Sequence, residues 1–279
     1  MKIFKDIKSF RDWRKSQSGT IGFIPTMGAL HEGHLSLIEK SKRNCNITVI
    51  SIFVNPLQFN NIQDLENYPN KTDDDLLKLK LKKVDAVFLP NKSIMYPKNS
   101  STIVQELTLS NSLEGQSRPG HFKGVTTIVS KLFNIIKPTH AYFGKKDAQQ
   151  LRIIQRMVQD LNFDIEIIPC KTLREKSGLA FSSRNQNLAL EYRKKANIIK
   201  KGLDLAKISL NNGEKSATIL KNIISSKINS EPEFDIIYIS VAESNSLKEL
   251  ENIQAKEILI SVAVKIDGIR LIDNFTYSS

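Results

Sequence analysis

Phe23-Ile24-Pro25-Thr26-Met27-Gly28-Ala29-Leu30-His31-Glu32-Gly33-His34 joins an apolar run to a helical pattern through small residues and closes on two histidines. Residues 20–24 read as a short buried strand, and Pro25, which has no N–H to donate, is expected to stop its hydrogen-bond ladder. Gly28 and Gly33 allow backbone turns and the close approach of a ligand. A helix follows, with Leu35, Ile38 and Lys42 on one side and Leu37 beside them. The unsatisfied N–H groups at its start form a ready site for phosphate. His31 and His34, three residues apart at that entrance, can point the same way and donate hydrogen bonds to phosphate oxygens.

Other chemistries fit this stretch less well. A zinc pair needs the H-E-x-x-H spacing on an established helix plus a third ligand, and here the second histidine comes too early. An incidental structural loop is the plainer alternative, yet two of the chain's four histidines fall here. The glycines match neither the dinucleotide fingerprint G-x-G-x-x-G nor a Walker A loop, which needs G-K-[ST]. The pattern is of the H-x-G-H type of nucleotidyltransferases. The run resembles the signature of the pantothenate synthetase (pantoate–β-alanine ligase) family, and later segments match the same family. That resemblance implies that Pro25, Thr26, Met27, Gly28, Ala29, Leu30, His31, Glu32, Gly33 and His34 line an ATP site, with His34 and His31 acting at the reacting phosphate.

With 279 residues and 40% hydrophobic content, the chain can bury a sizeable core and is expected to split into a larger and a smaller domain. No run of about 18 apolar residues could span a bilayer, and the lysine-containing start lacks an apolar signal-peptide core, so no membrane partner is expected. Cys45 and Cys170 sit beside apolar runs with no C-x-x-C partner, which suits core thiols in a reducing cytoplasm. Lys and Arg number 41 against 29 Asp and Glu, a formal net charge of +12, which can mean nucleic acid, a membrane surface or an anionic small substrate. The lysines are scattered along helical faces such as 76–83 and 193–207, with no basic block interleaved by aromatics. This argues against nucleic acid and for a solvated surface that helps gather nucleotide and carboxylate substrates.

In chain order, the first two-thirds alternates strand and helix, as a parallel sheet with crossover helices requires. Residues 47–53 are a continuous β-branched run, so they read as a central buried strand. It ends in Val54-Asn55-Pro56-Leu57-Gln58-Phe59. Ligands of open α/β sheets collect beyond the carboxyl ends of strands, which places Asn55 and Gln58 to meet one, against the alternative of an ordinary strand-ending loop. The resemblance implies that Gln58 holds the pantoate hydroxyl and carboxylate.

Asp73, Asp74 and Asp75 open a helix through Leu76, Leu77 and Leu81. Acids there commonly serve only the helix dipole. Magnesium bridging ATP phosphates needs one or two carboxylates, and the resemblance implies an acid of this cluster, with Asp74 and Asp75 as candidates. Residues 85–89 read as the next strand. Residues 113–124 combine turn residues with charges and read as a loop, by sequence alone a surface turn, in which the resemblance makes Arg118 a carboxylate or phosphate contact. The helix after it carries Val125, Ile128, Val129, Leu132, Phe133 and Ile136 on one face, and Pro138 ends it.

Ala141-Tyr142-Phe143-Gly144-Lys145-Lys146-Asp147 repeats the opening logic of strand, glycine turn and helix. Lys146 can meet phosphate oxygens, Asp147 can accept from a ribose hydroxyl, and Gln150 shares its face. The stripe Leu151, Ile154, Val158, Leu161 points the other way. The resemblance implies that Gly144, Lys145, Lys146 and Asp147 bind ATP and that Gln150 binds pantoate. Lys145 departs from the family, whose members usually carry Glu there.

After a strand at 164–169 comes Leu173-Arg174-Glu175-Lys176-Ser177-Gly178-Leu179-Ala180-Phe181-Ser182-Ser183-Arg184-Asn185. Hydroxyls and a planar guanidinium supply donors at several angles, which suits a triphosphate. The run is similar in place and chemistry to the lysine-bearing second signature of class I aminoacyl-tRNA synthetases. The resemblance implies that Leu173, Phe181, Ser182, Ser183 and Arg184 bind ATP, while Ser177 departs from the usual Asp. Beyond it lie two lysine-rich helices, 191–209 and 214–228, then strands at 234–241, 257–264 and 269–272, with Asp267-Gly268 as a hairpin turn.

The expected architecture is α/β: a Rossmann-like nucleotidyltransferase domain with a parallel sheet at residues 1–186, binding ATP and pantoate, and a smaller α+β lid at 187–279. The resemblance implies an ATP-dependent ligase that condenses pantoate with β-alanine through pantoyl adenylate, with Mg²⁺ accompanying ATP and a homodimer as the assembly. Phosphate would be handled by His34, His31, Lys146 and Arg184, and pantoate or β-alanine by Gln58, Gln150, Asn55 and Arg118. Another H-x-G-H nucleotidyltransferase acting on a different small acid or phosphate ester is the enzymatic alternative. A nucleotide sensor without turnover is the other.

Overall fold

In the computed structural model, which describes residues 1–278, the apolar runs between Lys2 and Cys170 pair into one six-stranded sheet. Its strands are β1 (Lys2–Phe4), β2 (Ile21–Thr26), β3 (Ile47–Ile52), β4 (Ala86–Phe88), β5 (His140–Gly144) and β6 (Glu166–Cys170), in the order β1-β4-β3-β2-β5-β6. Every pairing is parallel. Parallel neighbours need crossovers, and the helices Glu32–Asn44, Thr72–Leu81, His121–Ile136 and Ala148–Asp160 supply them. The chain runs from β2 to β3 and β4, then returns to the other side of β2 with β5. The carboxyl end of β2 therefore lies at the point where the winding reverses, where such sheets bind ligands.

The helix faces pack as the periodicity predicts, with some differences. Leu35, Leu37 and Ile38 join Ile24, Ile50, Ile52 and Tyr142 in one core cluster. Pro25 does not end β2. It pairs in register with Ser51, and β2 continues to Thr26 along β3. Pairing with β5 stops at Phe23, so proline interrupts only one of the two ladders. In the Thr72–Leu81 helix the buried side chains are Asp75 and Leu79, while Leu77 and Leu81 are exposed. The stretch expected as a loop at 113–124 forms a short helix, Leu113–Ser117, and the next helix already starts at His121. Its last residue is Ile136, followed by Lys137 at φ +48° and then Pro138. The N-terminal strand β1 and the helix Ile7–Lys15 were not expected. The helix is capped by Asp6 Oδ1 accepting from the Ser9 N–H at 2.9 Å.

The chain divides into two compact units, one of Met1–Lys145 with Gln150–Lys171, the other of Lys146–Gln149 with residues from Thr172 onward. The expected boundary after residue 186 thus falls inside the second unit. Leu179 and Leu188 belong to that unit's core together with Ile199, Leu203, Leu220, Val241 and Ile260. Its helices are Leu190–Lys195, Ile198–Asn211 and Ala217–Ile228, so the single helix expected at 191–209 is two. Its strands are β7 (Asp235–Glu243), β8 (Glu257–Ile266) and β9 (Ile269–Ser278), paired antiparallel. Asp267 and Gly268 both have positive φ, +50° and +73°, as the tight turn between β8 and β9 requires. Among the described residues no helix is long and apolar enough to cross a membrane.

Candidate active site

Beyond β2 the chain makes a loop held by its surroundings. Thr26 Oγ1 donates to the Ser51 carbonyl at 2.8 Å and accepts the Gly28 N–H at 3.2 Å. Gly28 and Ala29 then take positive φ, +86° and +50°. The strained turn exposes two amides, and a single buried carboxylate meets both. Asp75 Oδ2 accepts from Ala29 and Oδ1 from Leu30, each at 2.7 Å, while Lys78 Nζ from the same helix donates to the Leu30 carbonyl at 2.7 Å. Burial pushes the Asp75 carboxyl up, with the Leu30 and Ala29 amides pulling against it. A Cβ on Gly28 would stand 3.1 Å from Asp75 Oδ2, so the clamp also needs glycine there.

Leu30 leads directly into the helix entrance. His31 is the N-cap of Glu32–Asn44 and His34 lies in its first turn, with the two rings stacked at 4.0 Å between centroids. His34 Nδ1 accepts from the His31 N–H over a long 3.4 Å. An accepting Nδ1 leaves Nε2 to carry the proton in the neutral ring, so His34 presents a donor through Nε2. Both histidines are half-buried, and Glu32 is exposed.

A second group forms beyond β3. Asn55 is buried, and its amide donates to Gln58 Oε1 and to the Gly124 carbonyl, both at 3.0 Å, while its Oδ1 accepts from the Tyr96 hydroxyl at 2.8 Å. Burial pushes the Tyr96 hydroxyl up, which keeps it a donor. Asn55, expected to meet a ligand, also orients Gln58. The Gln58 Nε2 reaches Met27 Sδ at 3.0 Å, which ties this group to the β2 loop. Sulfur is a weak acceptor, so that amide keeps donor strength for a stronger partner. The Gln58 carbonyl accepts from Arg118 Nη2 at 3.3 Å and meets His121 Nδ1 at 2.8 Å. Arg118 also faces Glu114 at 3.9 Å. Gly124 is required here, because a Cβ would lie 2.4 Å from the Leu57 carbonyl oxygen.

The two acids expected to share a metal differ. Asp74 is exposed, and Asp75 is buried on the β2 loop. Among the described residues no group of three or more His, Cys, Asp or Glu is placed to hold a metal ion. Gln150, half-buried, lies in the first turn of the Ala148–Asp160 helix in the sheet-bearing unit.

The remaining candidates lie from Gly144 onward. Gly144 ends β5, and Lys145, Lys146 and Asp147 form a 3₁₀ turn, with Lys146 Nζ 3.5 Å from Asp147 Oδ1. The Leu173–Asn185 run folds back on itself: the Phe181 N–H donates to Leu173 at 3.1 Å and the Glu175 N–H to Leu179 at 2.8 Å. Ser182 caps the Ser183–Asn187 turn by accepting from the Arg184 N–H at 3.3 Å, Ser183 is buried, and Arg184 is half-buried. Asn185 donates to Glu175 Oε1 and to the Ala180 carbonyl, both at 3.0 Å, and Arg193 grips Glu175 at 3.0 Å. Lys78, Tyr96, His121, Glu175 and Asp273 were not anticipated. The nearest sequence signal was Asp273-Asn274 directly after Leu271-Ile272, since both residues are depleted in strands.

Residues 2–276 match the family model described as pantoate-beta-alanine ligase. A pantothenate synthetase of Thermosipho africanus is 47% identical over 98% of this chain and 99% of its own. Another, from Clostridium botulinum strain Loch Maree, is 48% identical over 98% and 97%. The crystal structure of a pantothenate synthetase from Thermus thermophilus superposes with a TM-score of 0.93 at 38% identity, covering 99% of each chain. That of the Francisella tularensis pantoate-beta-alanine ligase, complexed with beta-gamma ATP and beta-alanine, has a TM-score of 0.78 at 38% identity over 99% and 97%. With near end-to-end matches in sequence and in fold, the chain belongs to the pantoate–β-alanine ligase family.

Proposed function

We infer that this chain makes pantothenate from pantoate, β-alanine and ATP in two steps. A pantoate carboxylate oxygen attacks the α-phosphorus of ATP, the bond to pyrophosphate breaks, and pantoyl adenylate forms. The β-alanine amine then attacks the acyl carbon, the bond to AMP breaks, and the amine loses a proton. The observation that carries this reading is the helix entrance that follows the loop held by Asp75 and Lys78, with the His31 and His34 rings stacked at its first turn, an arrangement suited to phosphate. Lys146 and the Ser182-Ser183-Arg184 turn, both in the C-terminal unit, are proposed to neutralise the departing pyrophosphate. His31 assists at the α-phosphate, Asp147 accepts from ribose, and backbone groups of Pro25 to Leu30, Gly144, Leu173 and Phe181 shape the nucleotide site. The complex of the Francisella relative with a nucleotide and β-alanine supports the same substrate classes.

Mg²⁺, when bound, supplies charge neutralisation at the ATP phosphates. On this chain the exposed Asp74 is the carboxylate proposed to assist it, because the Asp75 oxygens already hold two amides. A homodimer follows from the family resemblance, and two free cysteines, Cys45 and Cys170, support a reducing cytoplasm.

No protein nucleophile is needed, so the first half-reaction must run without the amine. Labelled pyrophosphate should exchange into ATP with pantoate present and β-alanine absent. Release of ADP, or exchange strictly dependent on β-alanine, would overturn the adenylate route. The pantoate pocket has its own check. Gln58 and Gln150 are proposed to read the hydroxyl and carboxylate of pantoate, each amide offering two donors and an acceptor. Exchanging either for alanine should weaken pantoate about tenfold or more, the loss expected for a hydrogen bond to a charged group, and leave ATP affinity nearly unchanged. Calorimetry showing ATP lost and pantoate retained would mean the pocket is misplaced.

A further inference from the structure

β9 carries Asp273 and Asn274 side by side in its middle, between Leu271-Ile272 and Phe275. Such a breach of local preference is expected where a residue has a task beyond folding. Asp273 is buried, and its carboxylate takes Arg174 in a two-pronged grip, Nη1 to Oδ2 at 2.5 Å and Nη2 to Oδ1 at 2.9 Å. Arg174 also donates to the Gly178 carbonyl at 3.1 Å and pairs in an isolated bridge with Ala180, so it anchors the fold-back that leads into Ser182-Ser183-Arg184. Asn274 donates through Nδ2 to the Lys146 carbonyl at 2.6 Å, and its own N–H donates to Asp273 Oδ1 at 2.8 Å. Successive strand side chains leave opposite faces, so two neighbouring residues of β9 can hold two separate segments at once. The grouping of Lys146–Gln149 with the C-terminal unit agrees with this attachment.

We propose that Asp273 and Asn274 are positioning residues for the nucleotide: they set Lys146 in register with the Ser182-Ser183-Arg184 turn, so that both meet one triphosphate. The inference rests on the reading of Lys146 and Arg184 as ATP contacts. It makes β9 part of the nucleotide-binding apparatus although neither of its two residues need touch ATP. Register matters because a misplacement of about 1 Å can cost about 10²-fold in rate.

The test is Asn274→Asp, nearly the same shape but without the donor to the Lys146 carbonyl. Calorimetry should show ATP bound about tenfold more weakly, with pantoate affinity within about twofold of the parent and an unchanged melting temperature. Asn274→Gln, which keeps an amide donor, should bind ATP closer to the parent than to Asn274→Asp. Arg174→Lys, which breaks the two-pronged grip from the other side, should show the same ATP-selective loss, and it serves if Asn274→Asp fails to fold. Lys146→Ala is the control. If it loses ATP while Asn274→Asp and Arg174→Lys do not, the positioning role is wrong and the ATP reading stands. If Lys146→Ala itself binds ATP normally, both fall. Equal losses of ATP and pantoate together with a lowered melting temperature would reduce the pair to a purely structural role.

Discussion

Exchanging His34 for alanine lowers turnover about 10²-fold or more and hardly moves the melting temperature. The rate effect is that of removing one preorganised donor from a site where negative charge develops. The fold loses little because the bond this ring accepts from the His31 N–H is a long 3.4 Å contact, and alanine is a better helix former than histidine. His31 remains the N-cap, and Leu35, Leu37 and Ile38 still bury the helix. The measurement is steady-state turnover beside a thermal melt of the purified variant. Near-normal turnover would remove His34 from the chemistry.

The second large effect is at Asp75, and it should appear in both measurements. Asp75→Ala leaves the buried Ala29 and Leu30 amides without their acceptor. At about 1–3 kcal/mol for each unsatisfied group, the loss is roughly 2–6 kcal/mol, or a melting temperature lower by about 3–10 °C. Turnover should fall with it, since the positive-φ turn at Gly28 and Ala29 persists only while its surroundings hold it, and His31 follows directly. Asp75→Asn keeps one carbonyl acceptor and should lie between. A metal ligand would behave differently. If Asp75→Ala kept its melting temperature and shifted only the Mg²⁺ concentration needed for half-maximal activity, the clamp would give way to the metal role first expected for this residue.

Much of the architecture was legible because it rests on local periodicity. The run read as a strand at 47–53 is β3 up to Ile52, the spaced face from Val125 to Ile136 is a buried helix, and Asp267-Gly268 is the hairpin turn between β8 and β9. The helix entrance with His31 and His34 was legible for the same reason, since a strand, a glycine turn and an N-terminus are contiguous in the chain. Family membership was also readable from short motifs, and the end-to-end match agrees.

What the sequence left open depends on partners far away along the chain. The three-residue β1 is too short to show a period, and it becomes a strand only by lying against β4. Three aspartates at a helix start look alike until packing sends one of them inward to amides 45 and 46 positions distant. Asn55 reads as a strand-end residue, and only the fold shows that Tyr96 and Gly124 fix its amide so that it supports Gln58. The boundary between units moved because Leu179 and Leu188 have a core to enter only once the C-terminal helices and sheet are assembled. Asp273 and Arg174 lie 99 positions apart, and their pairing follows from no pattern in either segment. Periodicity records which face of an element is apolar, whereas a buried charge is stable only beside the particular donors that the tertiary fold delivers to it.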